Sequence, residues 1–328
     1  MGGLSDEREV SLASGAQVAN ALREAGHEAL AVDTVAGALD EAEERRLLAG
    51  GVGRSPPAGD RLARLSNARV SQLALAPPTH DADVFFLALH GGAGEDGSIQ
   101  GLLDMAGVAY TGSDRLGCSL AMDKEVTKRL LREAGAPTPD WRLLDECSDM
   151  EIERALGLPV IVKAANGGSS LRLTLAKDRE QLALVRRESR SWNDVVICER
   201  YHPGREFTVG VVGGDLLPVG EIVPKREYFD YISKYQTGMA EEIFPAGIDD
   251  GLATRLQELA LDVFQALRMR DYGRVDFMVD GEDRPWCLEA NASPGMTANS
   301  LLPKAAAAAG IGFPDLCDRL ARLAAERG

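Results

Sequence analysis

The stretch YGRVDFMVDGEDRPWCLEAN, residues 272–291, decides the fold of the C-terminal part of this chain. Two apolar runs, 272–279 and 285–291, flank Asp280-Gly281-Glu282-Asp283. An Asp-Gly pair between runs of this kind is a strong signal for a tight turn between antiparallel strands. The stretch therefore predicts a β-hairpin.

One face of this hairpin is a candidate metal site. Side chains alternate along a strand, so Arg274 and Asp276 share a face of the first strand, and Glu289 and Asn291 share a face of the second. If the strands pair, these side chains converge. Two carboxylates and an amide oxygen suit a hard cation such as Mg²⁺, particularly with phosphate oxygens in the shell. A solvated polar face with incidental ion pairs is the alternative that the hairpin alone leaves open.

The segment Ala292-Ser293-Pro294-Gly295-Met296-Thr297 follows the hairpin directly. A turn of small residues can bring backbone N–H groups close to a developing oxyanion. It can equally be a simple turn.

The N-terminal part predicts alternating helices and strands. A helix is expected over 7–25 and a strand over 29–33. The apolar run 83–90 predicts a buried parallel strand. His90-Gly91-Gly92 follows it, where open parallel sheets bind ligands. The early alternation favours a parallel sheet, and the later strands favour a mixed, antiparallel arrangement.

Further elements complete this outline. Residues 50–81, rich in Gly and Pro pairs, predict a surface excursion. The other predicted helices are 98–106, 119–134 and 252–268, and the other predicted strands are 158–163, 195–199, 206–212 and 217–223.

Several lysines are candidate anion ligands. Lys163 ends a predicted strand and precedes a Gly/Ser loop, which can place a cation and N–H donors on phosphates. The loop lacks the Gly-x-x-x-x-Gly-Lys-Ser/Thr pattern of a P-loop. Lys124 and Lys128 lie four apart on a predicted helix, for which a solvated face is the default interpretation. The segment 230–238 ends in Gly and predicts a loop that closes over a site.

Composition excludes several classes of protein. A chain of 328 residues suggests about two domains, or three small ones. Its net charge of −15 argues against broad nucleic-acid binding, which needs a basic surface. The sequence predicts no membrane-spanning segment and no signal peptide. Its 5 cysteines, without a CxxC pair, favour neither disulfides nor a zinc site and fit a cytoplasmic location.

Taken together, the motifs resemble the D-alanine–D-alanine ligases of the ATP-grasp superfamily. The matching blocks lie in order over nearly the whole chain: GGLSDEREVS (2–11), HGGAGEDGSIQG (90–101), MDK (122–124), GREFT (204–208), DY (230–231), KY (234–235), GRVD (273–276), EANASPGMT (289–297) and SL (300–301).

The resemblance implies an α/β fold, α+β in its C-terminal part. An N-terminal parallel-sheet α/β domain, 1–121, would precede a small ATP-grasp lobe, 122–204, and a large lobe, 205–328. The implied reaction joins two D-alanines to D-alanyl-D-alanine through an acyl phosphate, for peptidoglycan synthesis. ATP and two Mg²⁺ or Mn²⁺ ions would serve it. A cytoplasmic homodimer with small-molecule substrates, and without nucleic-acid or membrane partners, is expected.

The resemblance also assigns roles to residues. It implies metal ligands at Asp276, Glu289 and Asn291, and nucleotide contacts at Lys124, Lys163, Glu199, Glu206 and Lys234. The implied substrate contacts are Glu7 and His90 for the first D-alanine and Ser300 and Leu301 for the second. Arg274 and the N–H of Gly295 would stabilise the oxyanion, and Ser169 and Tyr235 would link Glu7 to the closing loop.

Three departures from the family pattern bear on these expectations. The family has a strand before the position of Gly2, so we expect the natural protein to begin earlier. The phosphate loop reads KAANGGSSLR (163–172), with Gly167 and Arg172 at unusual positions. Ala292 and Asn299 stand where Thr and His are commoner. These departures keep open a ligase with another acceptor, such as D-serine, and a nucleotide-binding homologue with impaired catalysis. Tyr235 favours an amine acceptor.

Overall fold

A computed structural model describes residues 1–50, 81–167, 172–224 and 240–327 of the chain. Its helices are α1 (Arg8–Glu24), α2 (Glu41–Gly50), α3 (Ser98–Ala106), α4 (Arg115–Met122), α5 (Lys124–Glu133), α6 (Asp149–Leu156), α7 (Arg179–Ser189), α8 (Asp250–Ala266), α9 (Leu301–Ala308) and α10 (Phe313–Ala325). Its strands are β1 (Val32–Asp33), β2 (Gly37–Ala38), β3 (Trp141–Leu143), β4 (Val160–Ala164), β5 (Leu173–Ala176), β6 (Val196–Arg200), β7 (Gly204–Val212), β8 (Asp215–Leu216), β9 (Gly220–Pro224), β10 (Ala240–Ile243), β11 (Tyr272–Asp280) and β12 (Pro285–Asn291).

The larger sheet runs in the order β10-β9-β7-β11-β12, with β8 beside β7, and all of its described pairs are antiparallel. Alternation along β7 and β11 gives it one apolar face. Buried side chains on that face, Phe207 and Val275 among them, pack in one core cluster with Leu256 and Val263 of α8. The opposite face is left for polar side chains.

The smaller sheet runs in the order β3-β6-β4-β5 and is also antiparallel. Val160, Val162 and Cys198 lie in a core cluster with Ile152 of α6 and Leu182 of α7. The helices therefore cover one face of this sheet, and its other face is free to line a site.

The N-terminal part contains the predicted helix and a shorter parallel pairing than expected. Between Phe85 and Tyr110 there is an isolated parallel bridge rather than a strand over 83–90. The carbonyls of Ala88, Leu89 and His90 instead accept hydrogen bonds from the hydroxyls of Ser11, Ser293 and Ser5. Among the described residues, no regular ladder extends along this run. The α/β class is confirmed.

The single helix predicted over 119–134 is wrong. It is two helices, α4 and α5, separated at Asp123. The Asp123 carboxylate accepts from the N–H groups of Glu125 and Val126, which makes it the N-cap of α5. The break places Lys124 at the first turn of a new helix.

Two further predicted strands are shorter than expected: the one over 29–33 is only Val32–Asp33, and the one over 217–223 begins at Gly220. All 5 cysteines are unpaired, as predicted. Among the described residues, no helix is long and apolar enough to cross a membrane. The predicted excursion lies outside the described residues over 51–80.

Candidate functional site

The predicted hairpin forms, with the predicted face. Asp276 of β11 lies directly opposite Glu289 of β12, and Arg274 lies opposite Asn291. The amide oxygen of Asn291 accepts from the N–H of Ser293 at 3.0 Å. Two carboxylates and an amide oxygen therefore share one face of the larger sheet.

A β-bulge sets the direction of Glu289. Asp276 pairs with Glu289 but the next residue, Phe277, pairs with Cys287, so Leu288 is an extra residue in β12. In a regular strand, residues two apart face the same side. The bulge instead puts Cys287 in the apolar core and Glu289 on the polar face. The sequence pattern did not predict it.

Asp276 is held firmly in place. Arg274 donates to its two oxygens from Nε and Nη2, each at 2.8 Å, and the hydroxyl of Thr208 donates to Oδ1 at 2.7 Å. Thr208 lies opposite Asp276 on β7. Glu206, two residues earlier, lies on the same face. Thr208 was missed as a site residue, although its place two residues after Glu206 on a predicted strand could have indicated it.

A second charged cluster lies on the smaller sheet. Lys128 Nζ and Lys163 Nζ each lie 3.0 Å from Oε1 of Glu199. Glu199 and Lys163 are diagonal neighbours on one face, since Lys163 pairs with Ile197. Burial would raise the pKa of Glu199, but the charges of Lys128 and Lys163 lower it below its ordinary value. This cluster carries more positive than negative charge.

Lys128 corrects the default interpretation of the two helical lysines. Its side chain is 1% exposed rather than solvated. Burial lowers the pKa of Lys128, and Glu199 opposes that shift. Lys128 is therefore a second missed member of the site.

Lys124 joins the two clusters. Its Nζ donates to the carbonyl of Gly167 at 2.6 Å and lies 3.5 Å from Oε2 of Glu289. Its N–H donates to the carbonyl of Ala165 at 2.9 Å, so α5 begins against the end of β4. We call Lys128, Lys163 and Glu199 the positive wall. We call Arg274, Asp276 and Glu289 the negative wall. Because Lys124 contacts Glu289 and begins the helix that carries Lys128, the two walls face the same space.

Buried acidic residues and His90 form a third group, in the N-terminal part. Ring nitrogens of His90 lie 3.2 Å from the carbonyl of Ser293 and 3.0 Å from the hydroxyl of Ser14. Glu95 lies 3.5 Å from His90. Burial raises the pKa of Glu95, His90 opposes the rise, and Glu7 adds to it. The group brings the carboxylates of Glu7 and Glu95 near each other, an arrangement that suits a ligand cation.

Gly91 leaves the space that the Glu7 side chain occupies. A Cβ at position 91 would lie 2.7 Å from Oε2 of Glu7, and the φ of Gly91 is +69°. Both observations require glycine there. Glu7 itself is buried at the start of α1.

The start of α9 lies beside Gly295. Ser300 is its N-cap residue, and Leu301 is the first helical residue. The hydroxyl of Ser300 accepts from the N–H of Thr297 at 3.2 Å, and a Cβ at Gly295 would lie 2.9 Å from it. A helix N-terminus attracts carboxylates and phosphates.

Three predicted site residues, Ser169, Lys234 and Tyr235, lie outside the described residues. Within the described ranges, no group of three or more His, Cys, Asp or Glu side chains is arranged to hold a metal ion by itself. A metal at the hairpin would need the amide of Asn291 and ligand oxygens beside its two carboxylates. That donor set fits Mg²⁺, which is usually held by one or two carboxylates and substrate phosphates.

Comparison with known proteins gives one consistent result. A family model described as D-ala D-ala ligase N-terminus matches residues 1–113, and one described as D-ala D-ala ligase C-terminus matches 130–322. A D-alanine–D-alanine ligase of Alkalilimnicola ehrlichii is 39% identical over 321 residues, covering 98% of this chain and 91% of the relative. One of Pelotomaculum thermopropionicum is 36% identical over 339 residues, covering 99% and 95%.

A solved structure agrees with these matches. The crystal structure of the D-alanine–D-alanine ligase from Bacillus anthracis complexed with ATP has a TM-score of 0.77 and 31% identity to this chain. It is matched over 100% of this chain and 95% of its own.

Proposed function

The chain belongs to the D-alanine–D-alanine ligase family, and from that premise we propose how its residues carry out the reaction. It is an ATP-grasp ligase that joins two D-alanines, using ATP, for peptidoglycan synthesis. One observation carries the assignment of roles. The lysines of α5 and β4 and the carboxylates of the larger sheet face one space, joined by the 3.5 Å contact of Lys124 with Glu289.

Asp276, Glu289 and Asn291 would hold two Mg²⁺ or Mn²⁺ ions together with ATP phosphates. Bound metal neutralises phosphate charge and so favours phosphoryl transfer. Support comes from the shared face of the three side chains. Arg274 orients Asp276 through its two hydrogen bonds.

Lys124 and Lys163 would bind the nucleotide phosphates, with Lys234 on the transferred phosphate. Glu199 and Glu206 would contact adenine and ribose. The excess positive charge of the Lys128–Lys163–Glu199 cluster supports the phosphate role, since a buried excess charge is costly until a counter-charge binds.

Glu7 would bind the ammonium of the first D-alanine, with His90 beside it. Ser300, through its side chain, and the N–H of Leu301 would receive the carboxylate of the second. Arg274 and the N–H of Gly295 would stabilise the oxyanion. Ser169 and Tyr235 would connect Glu7 to the closing loop.

The chemistry then follows in two steps. A carboxylate oxygen of the first D-alanine attacks the γ-phosphorus of ATP, and ADP leaves with the electrons of the broken P–O bond. The neutral amine of the second D-alanine attacks the acyl carbon of this acyl phosphate. Inorganic phosphate leaves, and the new amide nitrogen loses a proton. Positioning and charge stabilisation, rather than a covalent enzyme intermediate, lower both barriers.

We further propose three units, 1–121, 122–204 and 205–328. The smaller sheet lies within the second and the larger sheet within the third. A homodimer in the cytoplasm remains a family expectation.

The test uses the chain with ATP, Mg²⁺ and D-alanine. We expect D-alanyl-D-alanine by mass spectrometry, with one phosphate released per dipeptide. An added arm with D-serine compares acceptors. Phosphate release without dipeptide, or a D-serine product in preference to D-alanyl-D-alanine, would contradict the proposal.

A further inference from the structure

The ammonium group of Lys128 has three protein partners. Its Nζ lies 3.0 Å from Oε1 of Glu199 and donates to the hydroxyl of Thr138 at 2.8 Å and to the carbonyl of Pro139 at 3.0 Å. An ammonium group has three N–H donors, and two of them make the hydrogen bonds to Thr138 and Pro139. With the Glu199 carboxylate 3.0 Å away as well, Lys128 is surrounded by protein partners and acts on a ligand through them.

Thr138 continues this chain of contacts to the hairpin. Its hydroxyl accepts from Lys128 and donates to the carbonyl of Cys287 at 2.9 Å. The N–H of Cys287 donates to the carbonyl of Pro137 at 2.8 Å. Because β12 is the edge strand of the larger sheet, residues 137–138 satisfy its outer edge at this point.

The contact between Thr138 and Cys287 lies at the bulge that sets the direction of the Glu289 side chain. Cys287 is the last residue in regular register before the extra residue Leu288, and Glu289 follows. A bulge interrupts the ladder locally, so its geometry depends on what else holds it. Here the Thr138 hydroxyl and the Pro137 carbonyl hold both polar groups of Cys287.

We propose that Lys128 and Thr138 are positioning residues that couple the nucleotide cluster to the metal-binding hairpin. Lys128 orients Glu199 on one side, and through Thr138 it fixes the bulge and thereby the direction of Glu289 on the other. The inference rests on the proposed function of Glu289 as a metal ligand. Partners behind a metal ligand typically affect metal affinity or activity by about 10–100-fold.

Thr138→Val tests the link, since it keeps the side-chain shape and removes the hydroxyl. The measurement is an EPR titration with Mn²⁺ of the protein bound to a non-hydrolysable ATP analogue. It gives the Mn²⁺ concentration at which half of the metal sites are occupied. This concentration should rise about tenfold. Binding of the analogue without metal should stay at the wild-type level. In turnover, kcat at limiting Mg²⁺ should fall and recover at high Mg²⁺. Thr138→Ser, which restores a hydroxyl, should restore the wild-type Mn²⁺ affinity.

Thr127→Val is the matched control. Thr127 is a buried neighbour of Lys128, and its hydroxyl donates to the carbonyl of Leu120 at 2.6 Å rather than to a group of the hairpin. This variant should bind Mn²⁺ and nucleotide as the wild type does. Lys128→Met should weaken both metal binding and metal-free nucleotide binding, because it releases Glu199 as well as Thr138.

Two results would overturn the inference. Thr138→Val could bind Mn²⁺ as tightly as Thr127→Val does, or it could lose nucleotide affinity without metal while keeping Mn²⁺ affinity. Absence of dipeptide from the wild-type chain is a different result, because it contradicts the proposed function itself.

Discussion

Beside the smaller sheet two ammonium groups, Lys128 of α5 and Lys163 of β4, share one oxygen of Glu199. On the larger sheet one guanidinium, Arg274, binds Asp276, and Glu289 lies alongside. Lys128, Lys163 and Glu199 sum to one positive charge, whereas Arg274, Asp276 and Glu289 sum to one negative charge, which faces Lys124 at 3.5 Å. Each cluster is deeply buried, with Glu199 at 2% and Asp276 at 4% exposure.

The difference in sign indicates the ligand of each wall. A buried charge in excess is costly, so an anion stabilises the first cluster. The carboxylates of the second cluster, one of them already facing Lys124, suit a cation as ligand. A nucleotide phosphate with its metal ion supplies both at once. Lys124 spans the two walls, since it contacts Glu289 and begins the helix that carries Lys128. Substitutions that remove one charge at a time should therefore distinguish the role of the positive wall from that of the negative wall.

Asp276→Asn should have the largest effect, because it removes a proposed metal ligand from the negative wall. We expect kcat for dipeptide formation to fall by about a thousandfold or more, which corresponds to the several kcal/mol that a catalytic metal supplies. Phosphate release and product mass are the measurements. Asp283→Asn in the same hairpin is the control, because its exposed turn residue has φ 55°, which asparagine tolerates. Near-normal turnover of Asp276→Asn would refute the metal assignment.

Glu199→Gln should have the next largest effect, on folding stability, because it leaves two buried ammonium groups without their carboxylate. The free energy of unfolding should fall by about 3 kcal/mol at neutral pH. Folding lowers the pKa of Glu199. Its contribution is therefore complete above the unfolded pKa of about 4.3 and is lost as pH falls through the lower folded pKa.

Denaturant titration of wild type and Glu199→Gln between neutral and acidic pH measures this difference. The stability gap should be widest near neutrality and should close in acid. Glu188→Gln, on the exposed face of α7, is the control and should change stability by less than about 0.5 kcal/mol. A gap that is constant with pH would mean that the ionised carboxylate does not pair with the two lysines.

The hairpin could be predicted because its signals are local. The Asp-Gly turn and the alternation around Asp276 and Glu289 lie within twenty or so residues, and side-chain alternation fixes the shared face. The bulge at Leu288 could not be predicted. It places Cys287 against Thr138, which is 149 positions away in the chain. No local pattern reports a contact of that kind.

The two helical lysines show the same limit. Spacing of four residues places Lys124 and Lys128 on one helix face, and such a face is usually solvated. Tertiary packing against Glu199 and Thr138 buries Lys128 instead. The break at Asp123, by contrast, had a local signal, since Asp is a favoured N-cap residue. The serine hydroxyls that donate to the carbonyls of 88–90 come from distant segments, and no local signal predicts them.

Lys163→Met should have the smallest of these effects, because it removes the excess charge of the positive wall and leaves the Lys128–Glu199 pair intact. A hydrogen bond to a charged group contributes about 1.5–3 kcal/mol, so ATP affinity should fall by about 10–100-fold. Calorimetric titration with ATP in the absence of metal measures it, and the free energy of unfolding should stay close to wild type. Lys177→Met, at an exposed position in the same lobe, should bind ATP normally. If Lys163→Met bound ATP as tightly as Lys177→Met does, the excess positive charge beside the smaller sheet would not bind the phosphates. The opposite charges of the two walls would then need an explanation other than nucleotide binding.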